Sequence, residues 1–300
     1  VTIVGINKTA LVTGSSRGIG RAIAIALAKD GYDIAVHYSR SKEDALEAAD
    51  IITDLGVKVC VLQGDTGDPE VPGRLVREAV EKLGRLDVMV NNAGITIFEE
   101  IRDITAEVMD RLYQVNFRGM ILGASEAARY MVENGVKGSI LFNTSVRAFA
   151  PHSSDAIYGG LKAALNRAIR SFAIDLGRYG IRVNGFSPGV TNVMCPEPED
   201  EKENPFYKNT HRFIPLRRNG YAEDMADVVS WLVSDKASYV TGQVIRIDGG
   251  LSIVGAPEHM SDLYNAFDVA DITDQIFDMK EFRKKTMQQM EKIRKRKKKL

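Results

Sequence analysis

Thr9-Ala10-Leu11-Val12-Thr13-Gly14-Ser15-Ser16-Arg17-Gly18-Ile19-Gly20 is the stretch on which the fold turns. A short apolar and β-branched run, Ala10–Thr13, breaks at Gly14 into a polar turn, and an amphipathic segment, Gly18–Asp30, follows directly. That is the pattern of a strand, a tight turn and a helix start. Glycines at such a turn let the backbone bend sharply and approach a phosphate, and the free amides of the helix N-terminus give that phosphate a positive end to meet.

The same alternation continues outward from this unit. Strands are expected at Ala10–Thr13, Ile34–Tyr38, Lys58–Leu62, Val88–Val90, Ser139–Phe142, Arg182–Phe186 and Val244–Ile247, with helices at Gly18–Asp30, Glu43–Leu55, Pro69–Leu83, Ala106–Glu133, Asp155–Tyr179 and Ala222–Val233. Strands that alternate with long crossovers make a parallel sheet covered on both faces. The fold class is therefore α/β, a doubly wound, Rossmann-type seven-stranded parallel sheet with helices on both faces. Its ligand crevice belongs at the carboxyl ends of the strands, where their order reverses. Asp68-Pro69 reads as an N-cap with proline in the first helical position, and Pro72-Gly73 weakens that first turn.

After Gly249-Gly250 the alternation stops, which places the catalytic domain at residues 1–254 and an extension at 255–300. Ile272, Ile276, Met279, Phe282, Met287, Met290 and Ile293 recur at helical spacing ahead of Arg294-Lys295-Arg296-Lys297-Lys298-Lys299, so the extension reads as an amphipathic helix with a basic tail. The chain of 300 residues is neutral overall, yet residues 280–300 carry +9 and residues 1–279 carry −9. Lysine clusters without interleaved aromatics fit unspecific electrostatics, so no specific nucleic acid is expected; a helix docking on the body or on a neighbouring subunit is the leading reading.

A hydrophobic content of 44% is ample for a core without staples. Two cysteines, Cys60 and Cys195, make no disulfide framework, and no Cys/His cluster suggests a metal. No run approaches the roughly 20 apolar residues of a membrane span, and no signal-peptide pattern opens the chain, so a cytoplasmic protein is expected.

Thr13-Gly14-Ser15-Ser16-Arg17-Gly18-Ile19-Gly20, Gly64-Asp65-Thr66 after the third strand and Asn91-Asn92-Ala93-Gly94 after the fourth together resemble the short-chain dehydrogenases/reductases, over roughly residues 8–252. The resemblance implies a dinucleotide held by Gly14, Ser16, Arg17, Gly18, Ile19, Gly20, Asp65, Thr66, Asn92, Ala93 and Gly94. At the end of the second strand stand His37-Tyr38-Ser39-Arg40 with no acid to repel a 2′-phosphate, and Arg17 adds a second guanidinium. Arg40 and Arg17 therefore point to NADP(H) over NAD(H), and Ser39 joins them as a cofactor-binding candidate.

Tyr158 and Lys162 are four residues apart on one expected helix face. A phenol ionises at about pH 10, and a nearby cation favours its phenolate. Ser145 lies thirteen residues before Tyr158, at the position of the family's catalytic serine, and Asn116 holds the place of its fourth catalytic residue. The resemblance implies that Tyr158 is the acid/base in hydride transfer between NADP(H) and a ketone or secondary alcohol, aided by Lys162, while Ser145 holds the reacting oxygen and Asn116 a proton-resupplying water chain. It places the nicotinamide by Pro188, Gly189 and Thr191, and makes residues 190–218 a lid.

The sequence departs from the family in Gly159-Gly160-Leu161 between Tyr158 and Lys162, and in Val193 where a threonine is usual. Arg147, Phe149, His152 and Ser153 are the substrate-pocket candidates. A homo-oligomer, tetramer or dimer, built through the helices near residues 106–133 and 155–179, is the family's implication. The competing reading is a non-catalytic NADP-binding regulator or tethering protein that acts through the basic tail.

Overall fold

The computed structural model of the chain describes residues 7–194, 204, 207 and 210–253. Seven strands, β1 (Thr9–Val12), β2 (Asp33–Tyr38), β3 (Val59–Gln63), β4 (Val88–Asn91), β5 (Ser139–Asn143), β6 (Arg182–Pro188) and β7 (Val244–Ile247), form one sheet. Every pairing is parallel, and the spatial order is β3-β2-β1-β4-β5-β6-β7. All residues of β1 and β2 are buried, as a sheet covered on both faces requires.

Helices α1 (Gly18–Lys29), α2 (Lys42–Asp54) and α7 (Ala222–Val233) cover one face, and α3 (Val71–Leu83), α5 (Gly119–Glu133) and α6 (Ala156–Gly177) the other. Each face has its own core. Ile23, Ile34, Ile52 and Val229 pack on the first, and Leu75, Met131, Phe142 and Ile169 on the second, all with no exposed surface.

Two helices differ in extent from the sequence reading. The expected helix over 106–133 is α4 (Ala106–Tyr113), a π-helical turn at Gln114–Arg118 and then α5. Its Gly119 is pressed on the loop after β3, where a Cβ would stand 2.3 Å from the Thr66 carbonyl oxygen. The helix α3 begins at Val71 rather than Pro69, because Asp68 accepts the Glu70 amide in a turn of its own. Pro72 therefore occupies the first helical turn, where a missing N–H costs nothing, and it supports the start it was expected to weaken.

The chain divides into two compact units. Residues 1–188 with 221–247 form the sheet unit, and Gly189–Gly220 with residues from Asp248 onward form the other. Within the second unit the buried Tyr207 donates its hydroxyl to the Thr191 carbonyl at 3.0 Å, and the Gly220 amide donates to Val190 at 2.8 Å. Much of the expected lid, Cys195 and the whole extension 255–300 lie outside the described residues.

Candidate active site

The order of strands reverses between β1 and β4, and the segments that leave these two strands are tied to each other. Thr13 Oγ1 accepts the amides of Asn92 and Ala93 at 2.9 and 3.0 Å, and Asn92 Nδ2 donates back to the Thr13 carbonyl at 2.9 Å. Gly14 takes a left-handed φ of 67° and lies so close to Ala93 that a Cβ would stand 3.0 Å from its Cα. Gly20 packs its backbone on the Gly14 carbonyl, where a Cβ would stand at 2.3 Å. The first turn of α1 has no side-chain cap, so its amides are left for a ligand.

The loop is also gripped from β2. His37, only 1% exposed, accepts the Gly14 amide on Nδ1 at 2.9 Å, and its Nε2 meets the Gly64 carbonyl at 3.0 Å. Its own amide donates to Ser15 Oγ at 2.9 Å, and its carbonyl accepts the Ser15 amide at 2.9 Å. Burial pushes its imidazole down to about 4. Sequence reasoning passed over this residue; the signal was a lone imidazole in the otherwise apolar and aromatic run Ile34–Tyr38.

Asn116, Ser145, Tyr158 and Lys162 converge just past β4 and β5. Ser145 caps the short turn Val146–Ala148, where its Oγ accepts the Arg147 amide at 3.2 Å. The Tyr158 hydroxyl faces the side chains of Ser145 and Thr96, and both favour its ionised form. Lys162 Nζ lies 5.6 Å from the centre of the Tyr158 ring and donates to the Asn143 carbonyl at 2.6 Å.

Asn116 sits on the π-helical turn and clamps Ile95, accepting its amide at 3.0 Å and donating to its carbonyl at 2.9 Å. Single π turns inside α-helices are frequent at functional sites. Gly94 lets the group close up: a Cβ there would be 2.8 Å from Asn116 Oδ1 and 4.0 Å from Lys162 Nζ.

The electrostatics of the pair differ from the simple expectation. Burial pushes the Tyr158 phenol above its ordinary value, while Ser145, the Arg147 charge and Thr96 pull it back and Asp155 adds to the rise. Burial also brings Lys162 down to about 7. Desolvation acts on both groups, so near neutral pH the phenol keeps its proton and the amine gives up much of its charge.

A family model described as enoyl-(acyl carrier protein) reductase matches residues 14–252. The versicolorin reductase 1 of Aspergillus parasiticus is 38% identical over 252 residues, which cover 81% of this chain and 95% of that protein. The L-rhamnose 1-dehydrogenase (NAD(P)(+)) of a Sphingomonas species is 37% identical, over 82% of this chain and 96% of its own.

Among solved structures, an acetoin dehydrogenase from Salmonella typhimurium superposes with a TM-score of 0.76 at 33% identity, covering 83% of this chain and 98% of its own. A short-chain dehydrogenase from Burkholderia cenocepacia in complex with NADP gives 0.75 at 34% identity, covering 82% and 98%.

The chain belongs to the short-chain dehydrogenase/reductase family.

It is thus an oxidoreductase of a family that binds a nicotinamide nucleotide, and the glycine loop, with its close backbone approaches and uncapped helix start, fits such a group. The remaining candidates of this short-chain dehydrogenase/reductase fall into three sets. Ser16 and Thr66 are buried beside the loop, while Arg17, Ser39 and Arg40 are exposed, and neither arginine makes an ion pair among the described residues.

Asp65 is committed within the protein: it accepts the Gly67 amide at 2.9 Å and pairs with Arg111 at 2.8 Å. Burial alone would raise its carboxyl, and these two partners, with Arg40 near by, more than offset that. His152 and Ser153 are exposed, and Phe149 is half exposed under the Arg246 guanidinium at 5.2 Å. Pro188 ends β6, whereas Gly189 and Thr191 belong to the second unit, where Thr191 Oγ1 donates to the Gly189 carbonyl at 3.2 Å. Among the described residues no helix is long and apolar enough to cross a membrane.

Proposed function

We propose that this short-chain dehydrogenase/reductase transfers hydride between NADP(H) and a ketone or secondary alcohol, with Tyr158 as the general acid/base. The observation that carries the reading is the convergence of Asn116, Ser145, Tyr158 and Lys162 past the ends of β4 and β5, with Ser145 beside the Tyr158 hydroxyl and the Lys162 amine 5.6 Å from the centre of its ring. The bound nicotinamide supplies or takes the hydride. Tyr158 gives its proton to the carbonyl oxygen during reduction and takes it back during oxidation. Ser145 donates to the same oxygen as charge develops on it. Lys162 stands over the phenol ring and is held there by its bond to the Asn143 carbonyl, and Asn116 fixes the Ile95 backbone beside it. At neutral pH Tyr158 carries its proton, which is the form reduction needs.

The preference for NADP(H) is supported by the two exposed guanidiniums of Arg17 and Arg40 and by the absence of an acid at the end of β2. Nicotinamide fluorescence should show NADPH binding about ten-fold or more tighter than NADH, and Arg17→Ala with Arg40→Ala should remove the difference. If neither nucleotide binds, the reading fails. Turnover is then sought among sugars and acyclic ketones, with Tyr158→Phe as the inactive control.

The exposed side chains of Met109, Tyr113 and Ile174 on the helices around α4 and α6 support a dimer or tetramer, which light scattering would test.

A further inference from the structure

Three segments meet at Tyr158: the turn Val146–Ala148 that follows Ser145, the first turn of α6, and the loop that carries Thr96 and Phe98. Arg147, on the first of these, reaches toward the other two. Arg147 Nη1 donates to Asp155 Oδ2 at 3.1 Å, three positions ahead of Tyr158 on the approach to α6. The Arg147 guanidinium lies over the Phe98 ring at 4.7 Å, and its amide donates to Ser145 Oγ at 3.2 Å.

Asp155 completes the arrangement: Oδ1 accepts the His152 amide at 3.3 Å, and its carbonyl accepts the Gly159 amide at 2.7 Å. Gly159 seats the helix on the turn, since a Cβ there would be 2.9 Å from the Arg147 carbonyl oxygen.

The side chains of the ion pair are 19% and 5% exposed. A pair so buried is screened little by solvent, and losing one partner strands the other charge. It also gives the arginine a fixed place beside the phenol, unlike a surface arginine that wanders among rotamers.

We propose that Arg147 and Asp155 form a positioning clip that fixes the Ser145–Tyr158 geometry and sets a permanent charge pair beside the phenol. The clip rests on the acid/base reading given above. It also gives Arg147 a different task from the substrate lining that sequence suggested. The two halves act on Tyr158 in opposite senses, Arg147 favouring its ionised form and Asp155 its neutral form.

Ionisation of Tyr158 can be followed without substrate, as the difference in ultraviolet phenolate absorbance between each protein and its Tyr158→Phe counterpart. Arg147→Met should move the Tyr158 midpoint up by about half a pH unit or more, and Asp155→Asn should move it down. Both should lower kcat for NADPH-dependent reduction of 9,10-phenanthrenequinone by about ten-fold or more, because the two hydroxyls lose their spacing. The NADPH dissociation constant, measured on each variant, should stay unchanged and shows that the protein is folded.

Arg147→Lys should restore the midpoint but only part of kcat, since an ammonium lacks the planar fork that bonds Asp155 and stacks on Phe98. Midpoints that stay at the wild-type value, or that move the same way in both variants, overturn the clip; so does an unchanged kcat. A wild-type protein that binds NADPH but reduces no quinone counts against the proposed function, and the titration still decides the clip.

Discussion

His37 uses both ring nitrogens, and one protonation state allows it: Nδ1 must be bare to accept the Gly14 amide while Nε2–H donates to the Gly64 carbonyl. The folded imidazole, at about 4, sits below its ordinary 6.5, chiefly through burial, with the Arg74 charge in the same sense and the Gly64 bond and Asp65 charge opposing. Between these values the unfolded chain binds more protons than the folded one. The stabilisation is therefore present above about pH 6.5 and is lost as pH falls toward 4, by an amount on the order of 3 kcal/mol. Thermal melts from pH 7 to 4 should show this loss, and His37→Asn, which does not titrate, should flatten it; an equally steep decline in the variant would remove His37 as its source. Gly14→Ala tests the same loop, since it forces an alanine to a φ of 67° and against Ala93. It should weaken nucleotide binding about ten-fold or more, read by fluorescence titration.

Gly159 and Gly160 are neighbours on α6 with opposite reasons for being glycine. Gly159 packs on the Arg147 carbonyl, while a Cβ at Gly160 meets nothing within 4 Å. Gly160→Ala should therefore raise stability by up to about 1 kcal/mol, and Gly159→Ala should lower both stability and kcat, as chemical denaturation and turnover would report. A loss at Gly160 instead would place a second chain against that face. The same elements show what a sequence discloses. Seven strands were legible because each is a short apolar and β-branched run between longer amphipathic ones, and the structure moves their ends by only a residue or so. The π-helical turn at Gln114–Arg118 was not legible, because one extra residue per turn barely disturbs a hydrophobic pattern already spread around the helix. The four catalytic candidates were visible as spaced motifs. The Arg147–Asp155 pair and His37 were not, since their partners lie across the fold or, for Asp155, within a loop whose course the sequence does not set.

The chain as a whole is neutral by cancellation. Residues 280–300 carry +9, and six of the nine negative charges that balance them fall on residues 255–279, leaving only −3 on residues 1–254. The body is thus too weakly acidic to be the main electrostatic partner of the tail, and the acidic stretch just ahead of the tail is the nearer counterweight in sequence. Screening over about 8–10 Å at physiological ionic strength confines such attraction to near neighbours. Replacing Arg294, Lys295, Arg296, Lys297, Lys298 and Lys299 with glutamine in the full chain lowers the charge of residues 280–300 from +9 to +3 and should shift elution from a heparin column to lower salt. NADPH affinity and kcat should stay within about two-fold, because such attraction acts over only about a Debye length and no tail residue figures among the groups assigned to binding or chemistry. A fall in kcat with the charges removed would tie the tail to the catalytic unit. Retention that free NADPH competes away would instead place the polyanion contact on Arg17, Arg40 and the nucleotide crevice.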